Sequence, residues 1–187
     1  MKDFYEIDIA GMKRNLPLCP LNDKLKIGAF VILGDPELTE HAAKELLKLA
    51  PADYDYMLTA ECKGIPLIHE MARQSGQKKY FLARKGAKLY MKDVLKCEVQ
   101  SITTSKLQTL YLDGADAALM KGKKILIIDD VISTGESLHA LEELVKAAGA
   151  TIAGRLAILV EGEAQKREDL KFLAPLPLFN AEGDPIG

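Results

Sequence analysis

The stretch 124–137, Lys-Ile-Leu-Ile-Ile-Asp-Asp-Val-Ile-Ser-Thr-Gly-Glu-Ser, constrains this chain more than any other. Four apolar residues, Ile or Leu at 125–128, run into two adjacent carboxylates, Asp129 and Asp130. A short turn with hydroxyls and a glycine follows, Ser133-Thr134-Gly135. Leu138, Leu141, Leu144, Val145 and Ala148 then recur at helical spacing until Gly149. The order is buried strand, acidic strand end, turn, helix. It sets two anionic side chains beside the backbone N–H groups of a helix N-terminus, which attract phosphate. A ligand that satisfies both features carries cis hydroxyls for the carboxylates and a phosphate for the turn. A sugar phosphate fits.

Competing readings of this stretch fare worse. A receiver domain also opens with an apolar strand ending in Asp-Asp, but it needs a longer alternating chain than the one that follows Asp130. The P-loop pattern GxxxxGK[ST] is absent, and no expected strand runs into GxGxxG. Asp130 alone could cap a turn and Asp129 alone could be a solvated strand end; the pair together with Ser133-Thr134-Gly135 points to a ligand.

Composition narrows the class. A hydrophobic content of 48% and a charged content of 28% suit one globular domain. The net charge of −2 argues against a dedicated nucleic-acid surface. No apolar run is long enough to cross a bilayer, and the first residues carry no signal-peptide core. Cys19, Cys62 and Cys97 are odd in number and far apart, without metal-ligand spacing, so a cytoplasmic setting is expected. His41, His69 and His139 fall on expected helices at no metal spacing, which favours surface or packing roles.

Along the chain, residues 1–34 carry scattered Pro and Gly with weak periodicity and read as an irregular flap, or hood, with short strands. Residues 35–187 read as the α/β core of a single domain. Asp35-Pro36 opens a helix that Pro51 ends. Strands are expected over 55–60, 79–83, 107–112, 124–128 and 152–160, and helices over 64–74 and after Gly135. Residues 84–104 read as a long basic loop, with room for a short hairpin; 162–170 reads as charged surface. Strands alternating with helices predict a mainly parallel twisted sheet flanked by helices, with ligands at the carboxyl ends of the strands.

The segment 125–137 resembles the ribose-5-phosphate motif of the type I phosphoribosyltransferases: four apolar residues, two acidic, two apolar, then Ala/Ser-Thr-Gly and a further small or polar pair. The adenine/xanthine-like branch resembles the chain most, over about 35–160. The resemblance implies a magnesium-dependent purine phosphoribosyltransferase. Such an enzyme moves ribose 5-phosphate from 5-phosphoribosyl diphosphate (PRPP) to a base and releases pyrophosphate. Adenine is the first expectation, xanthine or hypoxanthine the second. A homodimer is expected by analogy, with neither nucleic acid nor membrane as partner. A non-catalytic PRPP-sensing regulator of the same fold is the alternative.

The resemblance also assigns residues. Asp129 and Asp130 match the acidic pair, implied to hold the ribose hydroxyls, directly or through magnesium, and to stabilise a cationic sugar. Ser133, Thr134, Gly135, Glu136 and Ser137 match the 5-phosphate loop, with Glu136 contributing only its backbone. Glu61-Cys62-Lys63-Gly64 resembles the pyrophosphate loop, with Lys63 where adenine-type members have arginine. Arg84, Lys85 and Lys88 resemble the start of a mobile loop that closes over the diphosphate. The chain departs from the adenine pattern twice. Where a Glu is expected near the end of that loop stands Thr104-Ser105-Lys106, and Lys106 is assigned to diphosphate instead. Where Phe-Arg-Asp is expected in the flap stands Lys26-Ile27-Gly28. Nearby Phe30 fits either a stack on a purine or a place in the core.

Overall fold

Alternation along one strand sets the architecture. In Lys124–Ile132, Ile125 and Ile127 turn to one face of the central sheet, and Leu126 and Ile128 to the other, all fully or nearly fully buried. A strand buried on both faces belongs inside a parallel sheet covered by helices.

The computed structural model describes residues 2–100 and 107–186. In chain order the elements are β1 (Phe4–Ile9), β2 (Met12–Pro20), β3 (Leu25–Gly28), α1 (Pro36–Leu49), β4 (Tyr56–Ala60), α2 (Gly64–Ser75), β5 (Phe81–Ala83), β6 (Leu95–Gln100), β7 (Leu107–Leu112), α3 (Gly114–Met120), β8 (Lys124–Ile132), α4 (Glu136–Ala147), β9 (Thr151–Glu161), a 3-10 turn (Gly162–Lys166), β10 (Lys171–Leu176), β11 (Leu178–Asn180) and β12 (Pro185–Ile186). The central sheet runs β10-β9-β8-β4-β5, and its strand pairs are parallel. One face packs on α1 and α2, the other on α3, α4 and the β6–β7 hairpin. Lying at the edge of the sheet, β10 tolerates Pro175, which a central strand would not.

The hood is a second sheet, antiparallel, in the order β1-β2-β3-β11-β12. Its N-terminal part is more regular than the irregular flap expected from the sequence. β1 and β2 pair along their length across a turn at Ala10-Gly11, where φ is +51° and +91°. Ile7, Ile9 and Leu16 from one face of this hairpin join Leu38, Ala42, Leu126 and Ile158 in a single cluster, so the hood is fused to the core. The division at residue 34 also needs correction at the other end of the chain. Phe179 pairs with Lys26 and Leu178 with Ile27, so the last strands complete the hood rather than the core.

α1 is anchored as its sequence predicts. Asp35 caps it, accepting from the Leu38 amide at 3.0 Å, and Pro36 occupies the first turn. Asp35 also receives Arg14 Nε from β2 at 2.7 Å, which ties hood to core. That hydrogen bond holds the Asp35 carboxyl below its ordinary range. Among the described residues no helix is long and apolar enough to cross a membrane.

Candidate active site

The carboxyl ends of β4, β5 and β8 converge on one cavity. β8 runs on past the expected end at 128 to Ile132, so Asp129 and Asp130 lie in its last half; both are buried, at 9% and 4% exposure. Asp129 Oδ1 accepts from the Asp130 amide at 2.9 Å. Burial, and then the negative charge of Asp130, push the Asp129 carboxyl well above the ordinary aspartate range. Lys63 Nζ lies 2.8 Å from Asp130 Oδ2, crossing from the β4–α2 turn to β8. The lysine thus sets a cation against the buried acidic pair.

The β4–α2 turn is shaped by close packing. The Glu61–Cys62 peptide is cis. A Cβ on Gly64 would overlap Thr59 Oγ1, so only glycine lets α2 start this close to β4. Cys62 is exposed. Glu61 Oε2 accepts from the Lys85 amide at 3.0 Å, and Glu61 Oε1 lies 3.3 Å from Arg84 Nε. The Lys85 amide first, and the neighbouring cations after it, hold Glu61 below the usual carboxylate range.

Beyond β8, Ser133-Thr134 leads to Gly135, which caps α4 with a φ of +80°. Having no side chain, Gly135 puts none between the start of α4 and the space beside it. A small cavity of about 50 Å³ sits there, lined by Asp129, Ser133, Thr134, Gly135, Glu136 and Ser137 among others. It shares Asp129, Val131 and Ser137 with a larger cavity of about 410 Å³, whose walls include Lys63, Lys85, Asp130, Leu33 and Leu110. The pair of cavities therefore sets a glycine-capped turn, an acidic pair and a cationic wall in a continuous run. Another depression, of about 390 Å³, lies between α1 and α2, but its Asp35, Glu70 and Arg73 are paired within the chain.

The sequence-predicted residues divide around this geometry. Asp129, Asp130, Ser133, Thr134, Gly135, Glu136, Ser137, Glu61, Cys62, Lys63 and Lys85 line one cavity or both. Gly64 stands directly behind, at the start of α2. Arg84 stands at the rim, its backbone bridged to Tyr111 and its guanidinium directed at Glu61 and the Tyr90 hydroxyl. Lys88 follows on the same segment, its amide 3.4 Å from Met91 Sδ. Lys106 lies outside the described residues. Phe30 does not face the cavity. It is 5% exposed and packed in the hood–core cluster, so of its two open roles the structure selects the core. The apolar wall comes from Leu33, Leu110 and Val131 instead. Sequence reading missed Leu33. The available signal was its place three residues after Phe30, in an apolar run that must turn one side chain outward.

The phosphoribosyl transferase domain family matches residues 37–174. A hypoxanthine/guanine phosphoribosyltransferase of Methanococcus maripaludis is 31% identical over 161 residues, covering 82% of this chain and 83% of its own. Its counterpart in a Methanocaldococcus species is 34% identical over 163 residues, covering 83% and 79%. Among solved structures, adenine phosphoribosyltransferase from Thermoanaerobacter pseudethanolicus superposes with a TM-score of 0.72 at 20% identity, over 86% of this chain and 95% of that one. The Trypanosoma brucei enzyme, in complex with AMP, pyrophosphate and ribose-5-phosphate, gives 0.60 at 22% identity over 77% and 67%. The paired acids of β8, the glycine-capped turn and the matched span lead to one assignment: this chain belongs to the type I phosphoribosyltransferase family.

Proposed function

We propose that this protein transfers ribose 5-phosphate from PRPP to a purine base, forming the nucleoside monophosphate and pyrophosphate. The observation that carries this reading is the run from the glycine-capped α4 turn through Asp129 and Asp130 to Lys63 and Lys85. PRPP has the matching order of groups: 5-phosphate, ribose diol, diphosphate. In the transfer a base nitrogen bonds to the anomeric carbon, and the bond from that carbon to the diphosphate oxygen breaks. Its electron pair leaves with pyrophosphate, and the base proton passes to solvent. Positive charge builds on the sugar beside Asp129 and Asp130, and negative charge on the leaving group beside Lys63 and Lys85.

The cation chemistry of the acidic pair suits magnesium. Asp130 Oδ2 is buried and meets the Lys63 ammonium at 2.8 Å, and no cluster of three or more metal-type side chains occurs among the described residues. Magnesium binds commonly through one or two carboxylates plus substrate oxygens, and it would neutralise diphosphate charge here. Leu33, Leu110 and Val131 offer the purine an apolar wall. A 6-oxopurine stands ahead of adenine, the first expectation from resemblance. The relatives at 31% and 34% identity are named for hypoxanthine and guanine, and the adenine-type loop acid is replaced by Thr104-Ser105-Lys106. A cytoplasmic homodimer belongs to the same reading.

The test is to incubate the protein with PRPP, magnesium and, in turn, hypoxanthine, guanine, xanthine, adenine, uracil and orotate, and to separate products by chromatography. Nucleotide and pyrophosphate from an oxopurine are expected. Product from adenine alone would overturn the choice of base. PRPP binding without product from any base would favour the sensor.

A further inference from the structure

Glu61 is an acid in the wall of a cavity read as a diphosphate site, where a free carboxylate would repel the ligand. Its charge is already engaged. One oxygen takes the Lys85 amide at 3.0 Å, the other faces Arg84 Nε at 3.3 Å, and the Glu61 amide donates to the Ala83 carbonyl at 2.8 Å. The β4–α2 turn is thus joined to the segment after β5 through the backbone and side chain of one residue. That segment is held on its other side as well, by reciprocal 2.8 Å hydrogen bonds between the backbones of Arg84 and Tyr111. Lys63 and Lys85 belong to these two segments, and both line the cavity.

We propose that Glu61 is a positioning residue that clamps the stem of the lid segment to the pyrophosphate turn, setting the separation of the two cationic walls that receive the diphosphate of PRPP. The idea rests on the PRPP reading above. The Lys85 hydrogen bond needs only an acceptor oxygen, so a glutamine can keep the clamp and an alanine cannot. Electrostatics alone makes the opposite forecast: removing a negative charge from an anion site should tighten binding in both variants.

The experiment compares wild type, Glu61→Ala and Glu61→Gln by calorimetric PRPP titration with magnesium and by steady-state kinetics. Glu61→Ala should weaken PRPP binding about tenfold, the scale of one lost charge-assisted hydrogen bond. The KM for the purine should stay near wild type, and Glu61→Gln should recover most of the loss. Amide hydrogen exchange at 84–88 should speed up in the alanine variant and not in the glutamine variant. Wild-type or tighter PRPP affinity in Glu61→Ala, with wild-type turnover intact, would overturn the clamp alone. Wild-type protein that binds no PRPP would overturn both the clamp and the functional reading beneath it.

Discussion

Lys63 Nζ sits 2.8 Å from Asp130 Oδ2, so the cation of one loop is spent on the buried acid of another. Lys63 keeps 41% of its side chain exposed while Asp130 keeps 6%. The lysine is therefore the partner able to move. Diphosphate would draw it away, and the acid would then take hydroxyl donors or a metal in exchange.

Lys63→Ala should for this reason weaken PRPP far more than the purine. An affinity loss of about tenfold or more is expected for PRPP, the worth of one charge-assisted contact. The variant also leaves a buried carboxylate unpaired, so its melting temperature should fall. Equal losses of affinity for PRPP and purine in separate titrations would reduce the residue to a structural role.

Replacing both acids, Asp129→Asn with Asp130→Asn, should lower turnover by about two orders of magnitude or more while circular dichroism stays native. Near-normal turnover would remove the acids from the chemistry. Asp129 alone makes a pH prediction. Its carboxyl is raised in the folded state, so folding favours its protonated form. The stability it contributes is complete below the ordinary aspartate value of about 3.9 and is lost as pH rises through the higher folded value. Urea midpoints of the wild type relative to Asp129→Asn should decline over that rise. A flat difference would show that Asp129 is not raised.

Gly64→Ala should destabilise by about 1–3 kcal/mol, since its new methyl would overlap Thr59 Oγ1. The Thr59 hydroxyl is fully buried and has no hydrogen-bond partner among the described residues, so trimming it costs little. Adding Thr59→Ala to Gly64→Ala should then restore much of the lost stability. Purely additive effects in chemical unfolding would mean that the two positions do not collide.

Leu33 and Phe30 should separate cleanly. Leu33→Ala removes apolar wall from the cavity and should raise the KM for the purine about tenfold with PRPP affinity unchanged. Phe30→Leu alters the core and should lower the melting temperature while leaving that KM alone. A base effect from Phe30 and none from Leu33 would exchange their roles.

The elements that carry the centre of the candidate site were legible because their local signals agree. Four apolar residues, an acidic pair and a glycine-capped turn leave one arrangement of strand, turn and helix, and Asp35-Pro36 marked the start of α1 just as plainly. Elsewhere tertiary context decided. β10 hides behind Pro175, which is harmless only because the strand lies at a sheet edge. α3 spans seven residues capped by Asp113, too short for a helical period to register. The β1–β2 hairpin does carry an alternation, with Tyr5, Ile7 and Ile9 inward against Glu6 and Asp8, but its prolines suggested loops. Phe30 and Leu33 could not be told apart because both are apolar residues of one hood segment. Which of them turns inward depends on α1 and β2, which pack beneath.

The hood has a bearing on synthesis. Lys26 at the front of the chain pairs with Phe179 at the back, and Pro185 closes the same sheet. A ribosome makes every strand of the catalytic floor before it makes the final staves of the canopy. A nascent chain paused after Leu176 would hold Asp129, Asp130 and the Ser133–Gly135 turn while the canopy still lacked the strand that pairs with Lys26 and Ile27.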